Sequence, residues 1–193
     1  MLSLITLATS ALALFGLARG AIPDATWNLP INLTDPNSPT VSVTGTIQMA
    51  VAQMEADYPG WNATFMALEP RPSDDNRKDD EPEPNIVYKC NTSEAMAYKA
   101  DIKEGIKYLR KVPGTAKNGA GPDNCGRVSC SYNSAIIWCN QDDEEKELQW
   151  YQIADAAQYT YYYCLFDIHV IYVRGHGDYV DDKWGVIIRK EYC

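Results

Sequence analysis

The stretch of this chain that is richest in reactive side chains is CGRVSCSYNSAIIWCN, from Cys125 to Asn140, which holds three of the six cysteines. Cysteines this close together can bind a metal, carry out redox chemistry or form structural disulfides. A structural zinc site needs a second close pair to match Cys125 and Cys130, and the sequence offers none. The C-x-x-C motif of thioredoxin-type redox chemistry is absent as well. We therefore predict no metal site and no cofactor.

The cysteines are better explained as a disulfide framework. Six of them follow an apolar N-terminal segment, a combination that is typical of small secreted proteins with three disulfides. The sequence alone leaves their pairing open. Side-chain alternation in a hairpin would place Cys130 and Cys139 together on the inner face, whereas Cys125 would point away. On that basis the pairs that we predict are Cys130–Cys164, Cys90–Cys139 and Cys125–Cys193.

The segment FDIHVIYVRGHGD offers a second set of candidate catalytic side chains, His169, Arg174, His176 and Asp178, and Glu191 lies on the last predicted strand. Histidine can act as a general acid or base and arginine can hold a phosphate, so His169, Arg174 and His176 would suit a secreted ribonuclease. The odd spacing of the two histidines, however, places them on opposite faces of a continuous strand. We therefore assign no catalytic residue, and a hydrolase stays open as the alternative.

The acidic and the tyrosine-rich clusters both have structural explanations. The acids of QDDEEKE lead into a predicted helix, where negative charge complements the helix dipole. The tyrosines of YTYYYC lie on that same helix, and we expect Tyr161 to face the sheet while its neighbours are partly exposed. Tyrosine-rich surfaces do bind carbohydrates and proteins, but packing is the interpretation that we favour here.

The N-terminus has the composition of a secretory signal peptide. An apolar run is followed by Ala18 and Gly20, small residues at the positions that precede a cleavage site. We predict a signal peptide over residues 1–20, no membrane span, and an extracellular location for the rest of the chain. N-glycosylation sequons agree with that location, and they occur at Asn32, Asn62 and Asn91.

Charge divides the remaining chain into two parts. The formal net charge is -9, and the excess of acids is concentrated before residue 85. Such a balance is unsuited to nucleic acid, whose phosphates need clustered Lys and Arg. The segment from Glu69 to Asn85 is rich in proline and acids, so we predict a linker over 69–84. Residues 21–68 would then form a variable leader or pro-segment, with one short helix from about Thr46 to Asp57.

The elements that must position these residues lie in a cysteine-rich module over residues 85–193. The sequence predicts a strand at 85–90, a helix that ends before Pro113, a hairpin that turns at 131–134, a second helix over 147–164 and a final strand at 184–193. We predict an α+β fold in which two helices pack on a small antiparallel sheet. This α/β sandwich would be cross-linked by disulfides and preceded by a mostly extended leader.

One face of the predicted hairpin is a candidate binding surface. Residues that alternate with the inward-facing ones are Arg127, Ser129, Ile136 and Trp138, which would point away from the helices. Arginine, isoleucine and tryptophan together do not suit a face that meets only solvent. Either the leader covers this face or it binds a target, and in the second case Arg127, Ile136 and Trp138 would form the binding site.

The order of the segments DIKEGIKYLRKVPG, CGRVSCSYNSAIIWCN, IADAAQYTYYYC and WGVIIRKEYC carries a resemblance. In this order and in its cysteines, the chain over residues 85–193 resembles a family of small cysteine-rich secreted proteins of filamentous fungi, some of which are treated as candidate effectors. The element order is also similar to that of the virally encoded killer toxins of smut fungi. The resemblance implies an α/β sandwich and a role in host interaction or in antagonism of competitors.

Together these features predict a secreted, non-enzymatic, effector-like or toxin-like protein. It would act extracellularly as a monomer by binding a protein or glycan of a host or competitor. The alternative function is a secreted hydrolase such as a ribonuclease. We expect no nucleic acid among its partners.

Overall fold

The computed structural model describes residues 22–72, 85–165 and 169–193. The predicted signal peptide and most of the predicted linker, residues 73–84, lie outside the described ranges. Within those ranges the elements are, in chain order, β1 (Thr26–Pro30), β2 (Thr40–Thr44), α1 (Ile47–Asp57), α2 (Trp61–Ala67), β3 (Ile86–Lys89), β4 (Ala97–Tyr98), α3 (Lys99–Lys111), β5 (Thr115–Asn118), β6 (Asn124–Ser131), β7 (Ser134–Asn140), β8 (Lys146–Gln149), α4 (Trp150–Tyr163), β9 (Tyr172–Val173), β10 (Gly175–Tyr179) and β11 (Trp184–Lys190).

The strands form antiparallel sheets on which the helices pack. The largest sheet has five strands in the order β3-β10-β11-β7-β6, a second has four in the order β2-β1-β5-β8, and β4 pairs with β9. Helices α3 and α4 pack against each other, and each contacts strands of the five-stranded sheet. The α+β class is therefore confirmed. The described residues contain four helices and these three sheets, which is a larger architecture than two helices on one small sheet.

The N-terminal part of the chain belongs to the main hydrophobic core. Trp27 on β1 is fully buried, and its ring stacks on that of Trp150 with 3.5 Å between centroids. The Trp27 indole N–H donates to the carbonyl of Gly45 over 2.7 Å, which satisfies its polar atom inside the core. Residues 22–72 thus contain two strands and two helices, and the predicted mostly extended leader is wrong for this range.

Helices α1 and α2 are amphipathic elements that close one side of this core. Thr46 caps α1 because its hydroxyl accepts a hydrogen bond from the backbone N–H of Met49. The buried face of α1 is formed by Ile47, Ala50, Val51 and Met54, which recur at helical spacing. The helix occupies the segment for which the sequence predicted one. Helix α2 was not predicted, and its Trp61 and Phe65 are buried in the same core.

The hairpin of β6 and β7 contains one irregularity that changes which residues share a face. Its turn is Tyr132-Asn133, both with positive φ, as a two-residue hairpin turn requires. Beyond Ser129 the register shifts, so that Val128 is an extra residue on β6 and Arg127 pairs with Ile137. Such a bulge reverses the alternation of the residues that follow it. Cys125 therefore lies on the same face as Cys139, contrary to the prediction from uninterrupted alternation.

The three disulfides that were predicted are present, but all three predicted pairs are wrong. Because the bulge places Cys125 directly opposite Cys139, these two form a bond across the hairpin. The C-terminal residue reaches Cys130 on the same face, and Cys90 at the end of β3 reaches the end of α4. The observed pairs are Cys90–Cys164, Cys125–Cys139 and Cys130–Cys193.

Helix α4 lies unusually close to strand β10 because the strand presents glycines to it. A Cβ at Gly177 would lie 2.1 Å from the Thr160 hydroxyl oxygen, and one at Gly175 would lie 2.4 Å from the sulfur of Cys164. Both distances are shorter than any ordinary contact, so a larger residue forces the helix or its side chains to move. The two glycines therefore set the distance between α4 and the sheet.

We expect Gly177→Ala to lower the free energy of unfolding by about 1–3 kcal/mol, the usual cost of overpacking a core. Urea unfolding followed by tryptophan fluorescence measures this change. Adding Thr160→Ala removes the oxygen that the new methyl group meets, so the double variant should regain part of the loss. Equal stability of Gly177→Ala and the parent chain would contradict the proposed close packing.

Candidate functional site

The predicted binding face of Arg127, Ile136 and Trp138 is not exposed. Ile136 and Trp138 are both 0% accessible and lie in the main core beneath the helices. Both faces of the hairpin are apolar, and the sequence pattern could not tell which of them meets the helices. We predicted that the face with Cys130, Ile137 and Cys139 meets the helices, and this prediction is wrong.

The opposite face of the hairpin is covered by the two ends of the described chain. Ile22 packs with Ile137 and the cysteines of this face. Arg127 is held there, since its guanidinium pairs with Asp24 at 2.7 Å and also donates to the Tyr192 carbonyl. The side chain of Arg127 is only 19% exposed, so it anchors the chain ends and offers little surface to a target.

A cleft of about 440 Å³ lies next to these chain ends, on the outer face of the five-stranded sheet. We call it the sheet cleft. Its floor contains Ile187, Gly185 and the Cys125–Cys139 disulfide, and one end is closed by Val180 and Trp184. Polar side chains surround that apolar floor, namely the charged Lys89, Asp123, Asp178 and Lys183 and the imidazole of His176. An apolar floor with a few polar groups is the usual composition of a binding pocket.

Strand alternation accounts for the position of these charged side chains. Residues 176 and 178 of β10 point to the outer face, because Gly175 and Gly177 point toward α4. His176 stands directly opposite Lys89 on β3, and Asp178 accepts a hydrogen bond from the Lys89 ammonium over 2.8 Å. The two strands thereby place both signs of charge along one wall of the sheet cleft.

Behind this wall, Glu94 connects three basic side chains. Its carboxylate oxygens lie 2.7 Å from His176 Nε2 and 3.0 Å from Arg189 Nη1, and Arg174 donates to its backbone carbonyl over 2.6 Å. Partial burial alone would raise the pKa of Glu94. The hydrogen bonds from His176 and Arg189 outweigh burial, so the pKa of Glu94 lies below its usual value and the carboxylate stays charged.

The far wall of the sheet cleft is fixed by an ion pair between two loops. The Lys183 ammonium lies 3.1 Å from Asp142 Oδ1. Hydrogen bonding to Lys183 lowers the pKa of Asp142 to about 2, and the same contact raises the pKa of Lys183. Both groups therefore stay charged over the physiological range, and Lys183 keeps its position at the edge of the cleft.

The residues considered for catalysis are only partly brought together. His176 and Asp178 line the sheet cleft, whereas His169 is exposed and does not line it. Glu191 is bound to Arg189, outside the cleft lining. Among the described residues, no group of three or more His, Cys, Asp and Glu is arranged to hold a metal ion.

The acids and tyrosines around α4 differ from expectation in one respect. Residues 146–149 form strand β8, and α4 begins only at Trp150, so the acids from Asp142 to Glu147 do not lie at its N-terminus. A capping box between Gln149 and Gln152 begins the helix instead. Tyr161 is buried, as expected for its helical position.

The predicted glycosylation sites occupy different environments. Asn32 and Asn91 are exposed, and Asn62 is half-buried in the first turn of α2. The Asn32 side-chain oxygen accepts hydrogen bonds from both the backbone N–H and the hydroxyl of Thr34, which forms an Asx-turn. Glycosylation at these residues stays a prediction.

Sequence reasoning missed Glu94, Lys89 and Lys183 at this site. The only available signal was the alternation of GHGDY, in which glycines take every second position and His176 and Asp178 must then share the other face. The alternation does not reveal that β3 lies next to β10, because that pairing joins residues far apart in sequence.

No protein-family model, no curated protein and no solved structure matches this chain. Among the described residues, no helix has both the length and the apolar character that crossing a bilayer requires. The function therefore has to be inferred from the site itself.

Proposed function

We propose that this protein is a secreted, effector-like binding protein that acts outside the cell by holding a host or competitor protein at the sheet cleft. The observation that carries the proposal is the composition of the cleft, an apolar floor between walls that bear charges of both signs. A protein target can insert an apolar side chain and pair its own charges with both walls.

The charges of the cleft favour a polypeptide over the other classes of ligand. Asp123 and Asp178 repel a polyanion such as nucleic acid, and a neutral glycan has no charges that could pair with Lys89 or Lys183. Val180 at the end of the cleft is 60% exposed, so it presents an apolar surface beside the cavity. Contact with a partner would remove this surface from water.

A second candidate function, a secreted hydrolase, is favoured by the contact between Glu94 and His176. A carboxylate that orients a histidine toward a cleft is a common arrangement for a general base. The described lining of the sheet cleft contains none of the serine, threonine or free-thiol nucleophiles that a histidine base usually activates, however, so His176 would have to activate water directly. Binding requires no such activation, and for that reason we place it first.

The test is to apply the labelled, purified chain to plant tissue and to fungal cells and to measure its surface binding and the response. We expect Val180→Asp to weaken binding by about tenfold or more, because it places a charge at the apolar end of the cleft. Met49→Asp is the matched control, since Met49 is 52% exposed on α1 and does not line the cleft.

Equal binding by both variants, or no binding to either cell type, would contradict the proposed role of the sheet cleft. The same preparations are incubated with RNA and with polysaccharides. Cleavage that disappears in both His176→Gln and Glu94→Gln would replace the binding function with the hydrolase.

A further inference from the structure

A second cavity, of about 430 Å³, lies on the other side of the β10–β11 turn, between α4, β8 and that turn. Four aromatic side chains line this cavity, and they are Tyr151, Tyr159, Tyr179 and Trp184. We call the cavity the tyrosine groove. None of these side chains is part of the charged wall that defines the sheet cleft, although Tyr179 and Trp184 border both cavities.

The groove follows the axis of α4. Tyr151, Asp155 and Tyr159 are spaced four residues apart, so they lie on one face of the helix in successive turns. At 1.5 Å per residue, the two tyrosines are separated by roughly 12 Å along the axis. The opposite wall is the stacked pair of Tyr179 and Trp184, whose ring centroids are 4.2 Å apart. The cavity is therefore elongated and has rings on both walls.

Polar side chains alternate with these rings, and most of them are hydrogen-bond acceptors. Asp155, Asp182 and Glu147 contribute carboxylates, and Gln152 contributes an amide. Sugars have this combination of demands, because their C–H faces pack on the electron-rich faces of aromatic rings while their hydroxyls donate to carboxylates and amides. We propose that the tyrosine groove binds a neutral oligosaccharide chain.

The charges in the groove explain why the sugar should be neutral. The carboxylates outnumber the single lysine of the lining, Lys146, which itself lies 3.5 Å from Asp142. Arg110 pairs with Asp155 and Lys117 lies 3.7 Å from Glu147, so Asp182 is the carboxylate that disfavours a phosphate or a sulfated or uronic sugar here.

Two arginines of the protein already occupy groups of the groove that could bind a cation, a carboxylate and an aromatic face. A basic ligand is therefore also disfavoured. Arg110 pairs with Asp155 through a guanidinium that is only 7% exposed. Arg71 lies 3.8 Å above the ring centre of Tyr151 and occupies one of its faces. What the groove offers to a ligand is ring surface, the Asp182 carboxylate and the remaining acceptor capacity of three side chains whose oxygens also contact the protein itself, Glu147, Gln152 and Asp155. These are the groups that an uncharged polyhydroxylated chain uses.

The experiment titrates the full chain with chitohexaose, cellohexaose and mannohexaose, and it follows binding by calorimetry and by tryptophan fluorescence, because Trp184 lines the groove. We expect at least one of these neutral sugars to bind. Tyr159→Ala should weaken that binding by about tenfold or more. Tyr132→Ala is the matched control, because Tyr132 is 82% exposed at the hairpin turn, and it should leave the affinity unchanged.

Thermal unfolding is measured first, to check that Tyr159→Ala is folded before its affinity for the sugars is compared with that of the parent chain. Asp182→Asn provides an independent variant, since Asp182 is exposed in the β10–β11 turn and its loss does not disturb the core. No binding of any of the sugars at millimolar concentration would overturn the proposal. Binding that survives both groove variants would overturn it as well.

Discussion

A chain that begins at residue 85 is expected not to fold, although it contains every cysteine and every residue of the sheet cleft. The reason is that residues 26–65 complete the core. Trp27, Leu29 and Phe65 are fully buried, and β1 lies between β2 and β5 in the four-stranded sheet. Without this part, Trp150 would lose the ring that stacks on it and β5 would lose a neighbouring strand.

The expected size of the effect follows from single side chains. Truncation of a buried tryptophan to alanine costs about 3–5 kcal/mol, and the whole free energy of unfolding of a domain is about 5–15 kcal/mol. Trp27→Ala alone should therefore remove a large share of the stability, and deletion of the complete segment should remove all of it. The measurement is near-ultraviolet circular dichroism of the 85–193 chain beside that of the chain from residue 22.

The outcome also bears on the idea of a pro-segment. All six cysteines lie at or beyond residue 90, so no disulfide joins residues 22–72 to the remainder. If the chain is cut in the linker, we expect the N-terminal fragment to stay bound through the core around Trp27. A native spectrum from the isolated 85–193 chain would contradict this expectation and would restore the interpretation of a removable leader.

Removal of the Cys90–Cys164 disulfide is expected to have the second large effect. The bond connects residues 74 apart in sequence. By restricting the unfolded chain, a bridge across a loop of this length raises the free energy of unfolding by about 4.4 kcal/mol. The Cys125–Cys139 bond spans only 14 residues, so its expected contribution to the free energy of unfolding is about 3 kcal/mol. The double variant Cys90→Ala/Cys164→Ala should therefore unfold at a lower urea concentration than Cys125→Ala/Cys139→Ala.

The position of each bond in the fold supports the same order. Cys164 is 1% exposed at the end of α4, and its sulfur faces Gly175 on β10, so this bond fixes the helix to the sheet. The hairpin bond joins two strands that are already neighbours through the β6–β7 ladder. The two double variants serve as controls for each other in one urea series. Equal or reversed midpoints would show that loop length does not govern these contributions.

Several elements could be predicted because their signals are local. The helix that became α3 has Ile102, Ile106 and Leu109 on one face and ends before Pro113-Gly114. The hairpin turn was placed correctly at Tyr132-Asn133, between two apolar runs. Neighbours in sequence decide these features. The α4 start was placed too early, because the short strand β8 has no pattern that distinguishes it from a first helical turn.

Other features could not be predicted because they depend on one residue or on distant partners. The extra residue Val128 reversed the alternation along β6, and so the pairing of the cysteines changed with it. Both faces of the hairpin carry apolar residues, and only the packed helices determine that Ile136 and Trp138 lie inside. The candidate site was misplaced for that reason.

Cysteine count, hydrophobic period and turn residues act over short distances, so the presence of three disulfides, the α+β class and the main local elements could be predicted, although the cysteine pairing could not. The acidic N-terminal part joins the core, and His176, Lys89 and Lys183 meet at one cleft, only once the chain is folded. Side chains remote in sequence become neighbours through strand pairing, and no local pattern specifies which strands pair.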